Sequence, residues 1–154
     1  MPPIVVEDLK ALESLAGREI GASDWFLVSQ DRIAQFAEAT EDRQWIHLDP
    51  ERALRDSPYG VTIAHGFLTL SLISHFMKMA VQIRSGVRLA VNYGLNRVRF
   101  PAPVRADSRI RARFTLQAVK QLPDALEAVF SVNVEGEGSE KPCCVAEWIV
   151  RYFH

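Results

Sequence analysis

The chain has almost no excess of charge and almost no cysteine. Its 18 basic and 19 acidic residues leave a formal net charge of −1, so nothing draws it in bulk toward phosphate backbones or anionic lipid. Neither nucleic acid nor a membrane surface is an expected partner. The two cysteines, Cys143 and Cys144, are adjacent at the start of a strand-like run. Neighbouring strand side chains point to opposite faces, which disfavours a bridge between them. A chain without disulfides suits a reducing compartment, and a cytoplasmic location is expected. Met1-Pro2-Pro3-Ile4-Val5-Val6-Glu7-Asp8 has neither a basic lead nor a long apolar stretch, so it does not read as a secretory signal. Long apolar runs are also scarce. Residues 67–83 alone approach the length of a bilayer span, and they contain Ser71, Ser74, His75 and Lys78, which favours a buried helix. There are no repeats or low-complexity tracts. What is plentiful is ordinary core material, 48% hydrophobic against 24% charged over 154 residues, and one domain spanning residues 1–154 is expected.

The first half of the chain alternates short elements. Leu9, Leu12, Leu15 and Ala16 recur at helical spacing before Gly17, which predicts a short amphipathic helix with a glycine C-cap. Trp25-Phe26-Leu27-Val28 reads as a strand. Ser29 stands as an N-cap ahead of Ile33, Phe36 and Ala37, and Asp49-Pro50-Glu51 starts another helix that Ser57-Pro58-Tyr59-Gly60 ends. After Ile63-Ala64-His65-Gly66 the apolar helix begins, closed by Ser85-Gly86. Beyond it, residues 88–93, 96–100, 109–119, 126–135 and 145–152 are rich in β-branched and aromatic residues and several alternate in polarity. Successive strands without intervening helices imply an antiparallel sheet. The fold class is α+β, with a sheet long enough to curl around the apolar helix. That helix has more apolar surface than one sheet face covers, so a homodimer is expected.

Three stretches carry possible chemistry. In Thr40-Glu41-Asp42-Arg43-Gln44-Trp45-Ile46-His47 a carboxylate and an imidazole share a connection with large apolar residues. Such a pair can activate water, or it can serve as a cap and a loop hydrogen bond. In Ala64-His65-Gly66-Phe67 the free N–H groups of a helix start can receive a carbonyl oxygen that gains charge, or Gly66 can merely ease a tight turn. In Asn96-Arg97-Val98-Arg99-Phe100 and the residues after it, up to Arg105, the arginines either hold phosphates or form a solvated strand face. No metal is expected. Asp42, His47 and Asp49 could gather a cation, but Asp49 is better explained as the cap before Pro50, and no second histidine stands at ligand spacing.

Together these stretches resemble the MaoC-like (R)-specific enoyl-CoA hydratases of the hot-dog fold, particularly the nodulation-protein-N-like branch. The resemblance rests on Ala39-Thr40-Glu41-Asp42 with Gln44-Trp45-Ile46-His47, on Thr62-Ile63-Ala64-His65-Gly66-Phe67-Leu68, on Asn92-Tyr93-Gly94-Leu95-Asn96, and on Val98-Arg99-Phe100-Pro101-Ala102-Pro103-Val104. It implies a sheet wrapped around the long helix, a homodimer, and reversible addition of water to a trans-2-enoyl-CoA by Asp42 and His47. The Gly66 N–H would meet the thioester carbonyl. Gln44, His65, Phe67, Asn96, Arg97, Arg99 and Phe100 would form the substrate-binding surface, with Phe67, Leu70 and Phe76 along the acyl tunnel. No cofactor is implied, since coenzyme A is part of the substrate. Two positions depart from the commoner motif: Glu41 replaces a glycine and Gln44 replaces an asparagine. Glu41 either perturbs the neighbouring carboxylate or faces solvent. The same fold hosts acyl-CoA thioesterases and could hold a non-catalytic acyl-CoA binding dimer, so these remain alternatives.

Overall fold

The computed structural model describes residues 2–154; the part of the N-terminal reading that concerns Met1 lies outside them. In chain order the elements are β1 (Ile4–Val6), α1 (Leu9–Glu13), β2 (Arg18–Ala22), β3 (Phe26–Val28), α2 (Gln30–Thr40), α3 (Trp45–Leu48), α4 (Pro50–Asp56), α5 (Gly66–Ser71), α6 (Ile73–Ala80), β4 (Val81–Ile83), β5 (Leu89–Arg99), β6 (Ser108–Gln121), β7 (Ala125–Gly136) and β8 (Cys144–Phe153). One antiparallel sheet runs β2-β6-β7-β8-β5, with β3 pairing the far end of β6. This is the expected α+β architecture, a curled sheet around a helical run.

Alternation decides which face of the sheet is buried. Along β8 every second residue, Cys144, Ala146, Trp148, Val150 and Tyr152, faces the core. There Trp148 meets Phe114 and Phe130, with ring centroids 6.3 and 5.8 Å away. On the opposite face, cross-strand pairs Arg111–Glu135, Arg113–Glu135 and Arg151–Glu127 keep the sheet wetted. Phe130 is fully enclosed, so truncating it to alanine would cost ~3–5 kcal/mol.

The apolar helix is shorter than expected and amphipathic. It is interrupted at Leu72 between α5 and α6, and hydrogen bonds from the Leu72 N–H to Leu68 and Thr69 and from the Phe76 N–H to Leu72 carry it across. Leu68, Ile73, Phe76, Met77 and Ala80 point into the core, whereas Phe67, Ser71, His75 and Lys78 line an exposed stripe. Residues 81–83, read as helix from composition, form β4, which pairs in parallel with β1. Val81 and Ile83 are β-branched, and the two short strands satisfy each other's backbone.

Two strands escape the sequence. β1 has three residues, too few for periodicity to register. β2 contains Glu19 and Gly21, a poor strand composition that β6 overrides by pairing with it. Gly21 is required there, because a Cβ at that position would lie 2.9 Å from the Ala80 carbonyl oxygen. Conversely, the two strands expected at 88–93 and 96–100 are one strand, β5. Its irregularities at Asn92/Gly94 and Leu95/Arg97 are bulges rather than a turn. Among the described residues no helix is long and apolar enough to cross a membrane.

Candidate active site

The Asp42–His47 segment is shaped by three helix ends. Ser29 caps α2, its Oγ accepting from the Arg32 N–H at 3.1 Å. α2 stops because Glu41 takes a left-handed conformation, φ 64°, which turns the chain and presents Asp42 on an exposed loop. Gln44 is the N-cap residue of α3, but its side chain makes no capping bond. Its backbone holds the loop instead, the N–H reaching Asp42 Oδ1 at 3.4 Å and the carbonyl accepting from the His47 N–H at 3.1 Å. Asp49 is the expected cap, accepting from the Arg52 N–H at 3.0 Å, and Pro50 follows at the first helical position.

His47 is 6% exposed and tied down on two sides. Its Nδ1 contacts the Ile63 carbonyl at 2.7 Å. That carbonyl can only accept, so Nδ1 carries the proton and Nε2 keeps its lone pair. The main-chain carbonyl of His47 accepts from Gln30 Nε2 at 2.8 Å, and Gln30 Oε1 accepts from the Thr62 hydroxyl. The strap that supplies Ile63 is itself pinned: the Ala64 N–H donates to Val104, the Ala106 N–H to Thr62 and the Ile63 N–H to Ile46. Burial depresses the His47 pKa. The Ile63 hydrogen bond and the Asp42 charge act against this, and the neighbouring His65 reinforces it.

The structure brings Asp42, His47, His65, Gly66, Phe67 and Phe100 to one cavity of about 440 Å³, walled also by Phe36 and Thr40. Gly66 is the first residue of α5, where the N–H lacks an intrahelical partner. The Phe100 ring packs on it so closely that a Cβ would stand 3.0 Å away. His65 is 3% exposed, with Nε2 bonded to the Asp42 main-chain oxygen at 2.9 Å, and it lines the cavity beside His47. It corrects one expectation, being the second histidine that the spacing did not reveal. Donor atoms of Asp42, His47 and His65 lie within 4.8 Å of one another, which makes these the residues that could hold a metal. Their imidazoles are stacked, however, 3.7 Å between centroids and 22° between planes. Lone pairs in near-parallel planes run side by side instead of converging on an ion.

Other expected residues lie outside this cavity. Arg97 and Arg99 are exposed near the end of β5, on the side opposite the half-buried Val98, and Asn96 falls in the second bulge. Phe76 is fully enclosed beside Phe26 in the core, and Leu70 faces a separate groove with Ser74 and Trp148. Glu41 faces solvent and is ion-paired to Arg43, which also holds Glu38 at 2.8 Å. A larger cavity of about 670 Å³ lies between α6 and the sheet, lined by Met77, Val81, Ile83, Trp148 and Val150. It contains no residue of the Asp42–His47 pair. Cys143 and Cys144 are free and buried, and burial pushes their thiols up to about 12 and about 11, which removes them as nucleophiles. Sequence reasoning missed Gln30 and Thr62, whose support for His47 runs through long-range contacts. It used Phe36 only as part of the apolar spacing after Ser29, which gives no sign that the ring walls the site.

Comparison with known proteins gives the chain its relatives. The model of the MaoC like domain matches residues 11–136. The 3-hydroxyacyl-thioester dehydratase Z of Mycobacterium tuberculosis is 50% identical over 147 residues, covering 95% of this chain and 96% of its own. Nodulation protein N of Rhizobium meliloti is 42% identical over 142 residues, covering 92% and 88%. The solved structure of the (R)-hydratase from A. caviae involved in PHA biosynthesis superposes with a TM-score of 0.71 at 23% identity, covering 88% of this chain and 98% of that one, a likeness of fold. A hot-dog sheet around a broken helix, a shared cavity for Asp42, His47 and Gly66, and these relatives together identify the chain as a member of the MaoC-like domain family and an enzyme of its hydratase and dehydratase class.

Proposed function

We propose that the chain is an (R)-specific enoyl-CoA hydratase, equally a (3R)-hydroxyacyl-CoA dehydratase, with Asp42 and His47 as its reacting pair. The observation that carries this reading is the contact of His47 Nδ1 with the Ile63 carbonyl, from which the tautomer follows. The Nδ1–H is spent on Ile63, leaving the Nε2 lone pair for a water proton, with the Asp42 carboxylate beside it in the same cavity.

In the hydration direction a water oxygen bonds to the β-carbon of the trans-2-enoyl thioester. The water proton passes to the Asp42–His47 pair, the electron pair of the double bond moves toward the thioester oxygen, and the α-carbon then takes a proton from the pair. The Gly66 N–H, at the positive end of α5, faces the oxygen while it carries charge. Dehydration is the reverse path. Arg97 and Arg99 suit the phosphates of coenzyme A by charge and exposure, and the reaction requires no further cofactor. Dependence on an acyl-CoA agrees with a cytoplasmic location.

A second copy of the chain fits the edge of the sheet. Among the described residues β5 pairs with β8 on one side only, and its Leu89, Val91, Tyr93 and Leu95 are 42–56% exposed. A long apolar edge strand is an unsatisfied template, which supports the homodimer. Sedimentation at micromolar concentration checks it, and a stable monomer would remove it.

The activity test mixes the protein with crotonyl-CoA and with a longer trans-2-enoyl-CoA, follows enoyl absorbance, and assays free thiol in parallel. Loss of absorbance without thiol is the expected result. Thiol release without hydration would make the protein a thioesterase, and tight acyl-CoA binding without turnover would make it a binding dimer.

A further inference from the structure

Resting on the hydratase reading, we infer that His65 is a positioning residue that acts on both members of the pair at once, gripping the Asp42 main chain through Nε2–H while its ring face sets the plane of His47. The bond to the Asp42 carbonyl, 2.9 Å, requires the proton on Nε2, because the carbonyl can only accept. His65 and His47 therefore carry their protons on opposite ring nitrogens, each donated to a main-chain oxygen. The Nδ1 of His65 is buried and has no hydrogen-bond partner among the described residues. An unsatisfied buried acceptor is costly, and the fold tolerates it where the ring lies against His47.

Two other rings contact this one. His47 stacks on one face at 3.7 Å, and Phe36 leans on it at 4.9 Å between centroids and 58° between planes. His65 also precedes Gly66 as the N-cap residue of α5, yet its side chain caps nothing. A capping serine or aspartate would satisfy the helix start better. An imidazole here forgoes that bond and instead joins the loop of Asp42, the ring of His47 and the start of α5 in one rigid unit. Two separate functions follow, a donor at Nε2 and a flat face. Two substitutions separate them: His65→Gln keeps a donor in roughly the Nε2 position without the ring, and His65→Phe keeps the ring without the donor.

Both variants and the parent protein are assayed with crotonyl-CoA, alongside thermal melts and ¹⁵N spectra of the histidines. If both functions are needed, each substitution lowers kcat by ~10- to 100-fold, the range expected for misplacement of a reacting group by about an ångström. KM stays near the parent value, because Nε2–H is spent on the Asp42 carbonyl and Nδ1 is buried, which leaves the side chain no hydrogen bond to offer substrate. In His65→Gln the His47 resonances lose the signature of a single Nδ1–H tautomer. A variant with parental kcat overturns the inference, and so does a rise in KM with kcat unchanged, which would make His65 a substrate contact. If neither variant folds, the parental spectrum decides: a proton on His65 Nε2 supports the grip and one on Nδ1 overturns it. Inactivity of the parent protein would instead count against the hydratase reading, and the spectrum would still test the grip.

Discussion

Asp42 and His47 belong to one short segment, yet the fold treats them differently. Asp42 is exposed on a loop, and its carboxylate is restrained by one long contact from the Gln44 N–H at 3.4 Å. His47 is buried, bonded through Nδ1, anchored through its carbonyl by Gln30, and stacked on His65. The contrast suits a pair whose members do different work. An imidazole fixed in tautomer and plane is a stationary acceptor, whereas a carboxylate with one long contact on a held backbone can turn with a water from approach to bond formation and return the proton at a different carbon.

Replacing the reacting groups breaks this contrast most severely. His47→Gln and Asp42→Asn should each lower kcat by ~10²–10⁴-fold, the usual contribution of a positioned acid or base, with melting temperatures close to that of the parent for the exposed Asp42. Near-parental turnover in either variant would exclude that residue from the chemistry. Asp42→Glu sharpens the point. A loosely contacted side chain should absorb one methylene and retain about a tenth of the activity, and a loss as deep as that of Asp42→Asn would show that the carboxylate is held as rigidly as the imidazole.

The pH dependence comes next. Burial lowers the His47 pKa, so the imidazole stays neutral, and able to accept a proton, below the ordinary histidine value of about 6.5. Activity should persist as pH falls past that value and disappear only as pH drops through the lowered pKa, reported as a property of the coupled pair. In the unfolded chain the same ring protonates near the ordinary value. The folded state therefore loses stability as pH falls from about 6.5 toward the lowered pKa. A kcat/KM profile and a series of melts test both statements. An acidic limb above the ordinary value would mean that the charge of Asp42 outweighs burial.

A smaller effect is expected from the residues that hold the main chain of His47. Gln30→Ala removes the donor to the His47 carbonyl and the acceptor for the Thr62 hydroxyl. It should lower kcat by about tenfold and destabilise the fold by ~1–2 kcal/mol, measured by steady-state kinetics and denaturant unfolding. Unchanged kcat with lowered stability would confine Gln30 to the fold.

This division also separates what the sequence discloses from what it conceals. The α+β class and the long strands are legible because they depend on local pattern: alternation along β8, a cap followed by Pro50, a glycine at a helix start. Asp42, His47 and Gly66 are different, since their own residues fit a cap, a loop hydrogen bond and a tight turn equally well, and it is the family resemblance that joins them into one constellation. The grip of Gln30, Thr62 and His65 is not legible, because it joins residues that only the closed fold brings together. His65 shows why. In the chain it is one residue of a helix approach, and its stacking on His47 exists only because residues 62–64 are strapped across α3 by residues 104–106. β2 was hidden for a related reason, since its strand character comes from β6 rather than from its own side chains.

Glu41 provides the smallest predicted effect and the one tied most directly to the loop of Asp42. The position takes a left-handed conformation, φ 64°, where a residue with a Cβ costs roughly 1–2 kcal/mol and glycine does not. The glycine of the commoner motif is thus a backbone requirement of the turn into Asp42, and this chain meets the turn with glutamate. The carboxylate recovers part of the cost by pairing with Arg43, but an exposed pair contributes ~0–1 kcal/mol. Glu41→Gly should therefore stabilise the protein by up to about 1 kcal/mol, seen as a higher denaturant midpoint, with kcat and KM unaltered because the side chain points to solvent. A drop in kcat on this substitution would mean that the strained turn aims Asp42, and the loop would then be as deliberately held as the imidazole.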